Sequence, residues 1–129
     1  KEEEEDKLLS LSDNKGLRLK VNTLFTKYDV ISDENAQNID LILVVNDNTG
    51  DKYLNFEHLK NSEKADKLRC LIQNKILEEE KSIPHPVVKE LDYDNKHFTK
   101  IKKAGVGLII NMDQEYEYQI VEGVNAYYE

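Results

Sequence analysis

Few side chains in this chain suit proton transfer, nucleophilic attack or metal ligation: His58, His85, His97, Cys70 and the acidic pair Asp92 and Asp94. A helical metal pair needs histidines three or four residues apart. No two of these have that spacing, so no metal is expected. Cys70 is the only cysteine, which removes any internal disulfide and fits a reducing, intracellular compartment. As a nucleophile it would need His58 brought to it by the fold. His85 lies between Pro84 and Pro86, a rigid segment that reads as a loop turning a corner. Asp47, Asn48 and Asp51 suggest a calcium loop until the register is checked. With Gly50 at the sixth position, the first would be Val45 and the twelfth, which needs a bidentate glutamate, would be Phe56. That stretch reads as a turn. Gly105-Val106-Gly107 precedes apolar alternation, whereas a phosphate-cradling glycine loop leads into a helix, so these glycines read as relief of crowding or a bulge.

Charge is the stronger signal. The last 25 residues carry five acids, four tyrosines and no lysine or arginine, whereas the 24 before them carry six lysines against three acids. Charge sorted into blocks is a feature that partners read. Lys96, Lys100, Lys102 and Lys103, around His97 and Phe98, would suit an acidic protein segment or a phosphate. Glu115, Tyr116, Glu117 and Tyr118 alternate in the manner of an edge strand, with the acids outward for a basic partner and the tyrosines completing the core.

These residues must be positioned by the surrounding elements. Lys1 to Lys7 is a like-charge block, read with the leucines that follow as an acidic tail or helix end over residues 1–15. Because residue 1 is Lys rather than Met, a processed product or a fragment is expected. From Leu17 to Ile31 the residues fit both a period of two and helical spacing, and the density of Val, Thr, Phe and Tyr favours a strand. Ile39 to Val45 is an apolar run of strand length, covered on both faces. The Asn46–Asp51 turn and a return strand over Lys52–Glu57 complete a predicted hairpin. Asn61–Leu77 is the best helix, with Ala65, Leu68, Leu71, Ile72 and Ile76 in one stripe and Asn61 or Ser62 as its cap. Gly105–Met112 and Tyr116–Val121, joined by Asp113-Gln114-Glu115, predict a second hairpin.

A chain of 129 residues is one domain, here residues 16–129 behind the acidic segment, and long enough to fold without a staple. Hydrophobics at 39% and charge at 34% predict a core under a heavily charged surface. No run reaches the length of a membrane span. A net charge of −8 disfavours nucleic acid as a general partner. The expected fold is a single α+β domain, an antiparallel sheet of about five strands (meander plus C-terminal hairpin) packed against one main helix. The expected function is a non-catalytic protein–protein interaction domain, an adaptor, assembly subunit or small acidic inhibitor. It would bind a protein partner, a basic one at the acidic strand, and need no cofactor. The alternative is a small enzyme whose site is assembled from His58, His85, His97, Asp92 and Asp94. A second alternative is local nucleic-acid contact through Lys96–Lys103.

Overall fold

The computed structural model describes residues 5–47, 54–79, 86–112 and 115–129. The strands are β1 (Lys7–Leu11), β2 (Asp29–Val30), β3 (Leu41–Asp47), β4 (Leu54–His58), β5 (Val87–Glu90) and β6 (Val106–Met112). The helices are α1 (Lys15–Leu24), α2 (Glu63–Glu79), α3 (Phe98–Lys103) and α4 (Glu117–Tyr127). The strands form one sheet of six in the order β2-β1-β3-β6-β4-β5. β1, β2, β3 and β6 run parallel, β4 runs antiparallel to β6, and β5 runs parallel to β4. The expected antiparallel sheet of about five strands on one helix is therefore replaced by a mixed, mostly parallel sheet with helices on both sides.

The physical reason lies in the two apolar runs. Leu41–Val45 and Val106–Ile110 are buried at every position, so both strands are covered above and below. Such strands belong to parallel sheets, whose crossover helices supply the covers. β6 inserts between β3 and β4, so neither predicted hairpin exists: β3 pairs with β6, and β4 with β6 and β5. Most of the expected turn, from Asn48 onward, lies outside the described residues, as do Asp113, Gln114, Pro84 and His85.

Three further segments depart from expectation. Of the expected acidic tail or helix end over residues 1–15, residues 1–4 lie outside the described residues, and Lys7–Leu11 form β1, a buried strand between β2 and β3. Leu17–Leu24 is helical. Asn14 caps α1 by accepting a hydrogen bond from the Leu17 amide at 3.1 Å, and Leu17 and Val21 face the core. Leu19, which a strand would bury beside them, is 69% exposed. Tyr116–Val121 enters α4 instead of forming a return strand.

One face of the sheet carries α1, α2 and α4. Leu41, Leu43 and Val45 meet Ala65, Leu68, Ile72 and Ile76 there, the stripe expected of α2 without Leu71, which is half-buried and outside this cluster. Ser62 Oγ accepts from the Ala65 amide at 3.2 Å and caps that helix. At Gly123 a Cβ would stand 2.6 Å from the Ile72 Cα, so α4 crosses α2 at a distance only glycine permits. The other face carries α3, with Ile101 packed on Leu9, Ile42, Val44 and Ile109. Gly107 lies beneath Ile101, where a Cβ would come within 2.5 Å, so the glycine does relieve crowding. Among the described residues no helix is long and apolar enough to cross a membrane.

Candidate functional site

β1, β3 and β6 point their carboxyl ends to one edge, where β4 begins. In open α/β sheets ligands bind outside these ends, at the point where the strand order reverses. Here the chain leaves β1 for β2 on one side and returns to β3 on the other. The two strand ends at this junction are tied together, Asn14 Nδ2 donating to Asp47 Oδ2 at 3.0 Å.

On the α3 face of this edge lies a row of amides. Asn46, Asn111 and Asn55 are register partners on three adjacent strands. Asn46 Nδ2 donates to Asn111 Oδ1 at 3.1 Å, and Asn111 Nδ2 donates to Asn55 Oδ1 at 2.7 Å. The same Asn111 nitrogen lies 3.3 Å from Glu57 Oε2 and fixes that carboxylate beside the row. Asn55 is buried, and Asn46 Oδ1 is a buried acceptor with no hydrogen-bond partner among the described residues. An unmet acceptor in such a place costs about 1–3 kcal/mol unless something donates to it. Sequence reasoning missed this row although it left a trace: both long apolar runs, LILVVND and VGLIINM, place an asparagine after their last buried aliphatic pair.

On the opposite face an open cleft of about 320 Å³ is lined by Asn14, Lys20, Asp47, Met112, Glu115 and Glu117. Glu117 is 3% exposed, in the first turn of α4, and Lys20 Nζ lies 3.0 Å from its Oε1. The hydrogen bond and charge of Glu117 hold the Lys20 ammonium above the ordinary lysine range. Lys20 also reaches Glu115 at 3.7 Å. Of the predicted outward row, then, Glu117 is sealed in an ion pair. Of the two tyrosines expected in the core, Tyr116 is buried. Tyr118 points to solvent at 64% exposure. The helical period accounts for this reversal.

The lysine strip is divided as well. Lys96 Nζ pairs with Asp13 at 3.0 Å, Lys100 and Lys103 line a cleft beside α3, and Lys102 is exposed away from it. His97 sits beside Lys96 and Asp13 at the end of β1. Burial is the main cause that lowers its pKa, helped by Lys96 and Lys100 and opposed by Asp13, so its imidazole is neutral at neutral pH. His58 lies at the other end of the sheet, its ring Nδ1 2.9 Å from the Leu59 carbonyl and its Nε2 3.7 Å from Asp66. Asp92 accepts from the Asp94 amide at 3.1 Å in a local turn. With His85 outside the described residues, the structure does not gather the set His58, His97, Asp92 and Asp94 into one site. Among the described residues no three His, Cys, Asp or Glu side chains converge as metal donors. The donors that do converge are amides and a carboxylate, suited to binding amides and hydroxyls and to accepting a proton.

No family model and no curated protein matches the sequence. Solved structures do. The CwlD amidase from Clostridioides difficile, determined in complex with the GerS lipoprotein, superposes with a TM-score of 0.70 at 13% identity, covering 96% of this chain and 98% of that one. The N-acetylmuramoyl-L-alanine amidase AmiC2 of Nostoc punctiforme gives 0.58 at 10% identity, over 97% and 96%. The catalytic domain of CwlV, an N-acetylmuramoyl-L-alanine amidase from Bacillus (Paenibacillus) polymyxa, gives 0.58 at 9%, over 95% and 98%. The expectation of a non-catalytic adaptor or acidic inhibitor gives way here. The fold is one solved in amidases, and part of the charge behind that expectation, Lys96 and Glu117, is engaged in ion pairs within the chain. The chain has the fold of these amidases along nearly its whole length.

Proposed function

We propose that this chain is an amidase-type domain directed at the amide that joins a muramoyl sugar to its peptide, handled at the carboxyl edge of β3 and β6, where β4 begins. The observation that carries the reading is the Asn46–Asn111–Asn55 row with Glu57 at its side and an unmet acceptor on Asn46. An N-acylated sugar linked to a peptide is rich in neutral amides and hydroxyls, and asparagines can both donate to and accept from such groups. A substrate N–H would satisfy Asn46 Oδ1. Glu57, oriented by Asn111, would take a proton from a water whose oxygen bonds to the amide carbon. The C–N bond then breaks and the proton passes to the leaving amine. The likeness to three amidases over at least 95% of both chains supports the reaction class. A protein partner belongs to the same reading, since the CwlD amidase was solved bound to one.

The test uses N-acetylmuramoyl-L-alanyl peptides, with binding followed by calorimetry and peptide release by mass spectrometry. Glu57→Gln should keep binding and abolish release, whereas Asn46→Ala should weaken binding by about tenfold, the cost of one buried hydrogen bond. Folded parent protein that neither binds nor cleaves these fragments overturns the proposal.

A further inference from the structure

A second cleft lies on the α3 face, distinct from the amide row. It spans about 520 Å³ between residues 34–39 and α3, a size typical of ligand sites. Its floor is apolar, from Leu9 and Ile42 of the sheet and Ala104 after α3. One rim presents the amides of Asn35, Gln37 and Asn38; the other presents Lys100 and Lys103, three residues apart on one side of α3.

Neither lysine has an ion pair among the described residues. The one acid in the lining, Glu34, lies 4.0 Å from Arg18. Lysines in the last turn of a helix are favoured by its dipole, and that alone would explain Lys102. It does not explain a concavity with two unneutralised cations on one wall and three amides on the other, beside a Glu34 that also lines it and faces Arg18, in a chain of net charge −8. A bare phosphate would use the cations and leave the amide carbonyls facing an anion. A peptide uses both, with its acidic side chains on the lysines and its backbone on the amides.

We propose that this cleft binds a short acidic peptide, Lys100 and Lys103 taking its carboxylates and Asn35, Gln37 and Asn38 its backbone amides. This site does not depend on the reading of the carboxyl edge. The test titrates acetyl-Ala-Glu-Glu into isotope-labelled protein at constant ionic strength, with acetyl-Ala-Gln-Gln and inorganic phosphate as controls. The acidic tripeptide should give saturating amide shifts at Ala36, Gln37, Thr99 and Ala104. Lys100→Glu with Lys103→Glu should weaken it by about tenfold or more, as loss of charge-assisted hydrogen bonds requires. Lys100→Ala with Lys103→Ala, checked for an unchanged melting curve, should do the same. Equal affinity for the glutamine analogue, equal affinity for phosphate, or no saturating shift overturns the proposal. A failure of the amidase reading would appear separately, as the absence of shifts at Asn46 and Asn111 with muramoyl peptides.

Discussion

The two faces of the sheet are built to different standards of closure. Beneath α1, α2 and α4 the apolar side chains form one cluster of buried residues, and Gly123 lets two helices touch backbone to side chain. Over the other face α3 has only six residues and covers a smaller cluster, leaving the amide row and two clefts around it. Stability resides mainly on the first face, and the unmet acceptor of Asn46 and a cleft of about 520 Å³ lie on the second. Sites sit where the cover is incomplete, because only there can a ligand complete it.

The comparison breaks first by mutation. Ile72→Asp places a charge in the sealed cluster, fully buried against Gly123, and should cost more than about 3 kcal/mol, enough to abolish cooperative folding. Ile101→Ala removes the main anchor of α3 and should cost about 2–5 kcal/mol while leaving a folded core. Circular dichroism melts of both variants decide the matter. If Ile101→Ala unfolds the chain as completely as Ile72→Asp, the faces do not differ in the way described.

The same contrast should show in pH dependence. On the sealed side Tyr28 packs edge-to-face on Phe25 and Tyr128, and its hydroxyl donates to Asn125 at 2.7 Å. Burial pushes the Tyr28 phenol up to about 12 and raises Tyr128 further, with nearby Asp6 adding to both. Both bind their protons more tightly folded than unfolded. Their contribution is intact below about pH 10, the unfolded tyrosine value, and is lost as pH rises through the folded values. Lys20, also raised, loses its contribution above the ordinary lysine range. On the α3 side the lowered His97 has the opposite sign, with stability present above about pH 6.5 and lost as pH falls through its depressed value. Urea midpoints across pH should therefore fall less steeply above pH 10 when Tyr28 and Tyr128 are both phenylalanine. They should fall less steeply below about pH 6.5 when His97 is glutamine. Exchange of those two outcomes would reverse the assignment.

What the sequence made legible was whatever depends on one period at a time. The α2 stripe and the doubly covered strand at Leu41 were readable because Leu68, Ile72 and Ile76, and the run at Leu41, fit a single pattern, whereas Val106–Met112 reads by alternation as one strand of a hairpin. α1 was not, since Leu17 and Val21 satisfy both periods and only the position of Leu19 separates them. α4 was misread because Tyr116 to Tyr118 alternates, while the decisive spacing is Ile120, Gly123 and Val124, which acquires meaning only against Ile72 of a helix far away in sequence. Strand order is non-local altogether: nothing near Asp47 announces that β6 will arrive beside it. The amide row depends on that order, so Asn46 and Asn111 by themselves resemble ordinary strand ends. Reading covered strands as parallel from the outset would have pointed to crossover helices and to the carboxyl edge.

The smallest expected effect sharpens this lesson. Alternation predicts that Tyr118 points inward, which would make Tyr118→Ala cost about 3 kcal/mol as the loss of a buried ring. In α4 the residue is 64% exposed and turned from the core that Ile120 and Val124 enter. Its removal gives up little apolar burial and replaces a modest helix former with the best one. The substitution should therefore leave stability within about 0.5 kcal/mol of the parent, as for other exposed positions away from caps and buried pairs. Chemical denaturation with a matched m-value measures it. A loss near 3 kcal/mol would mean that the segment after Glu115 is the strand its alternation suggests, and that Glu117 is not sealed against Lys20.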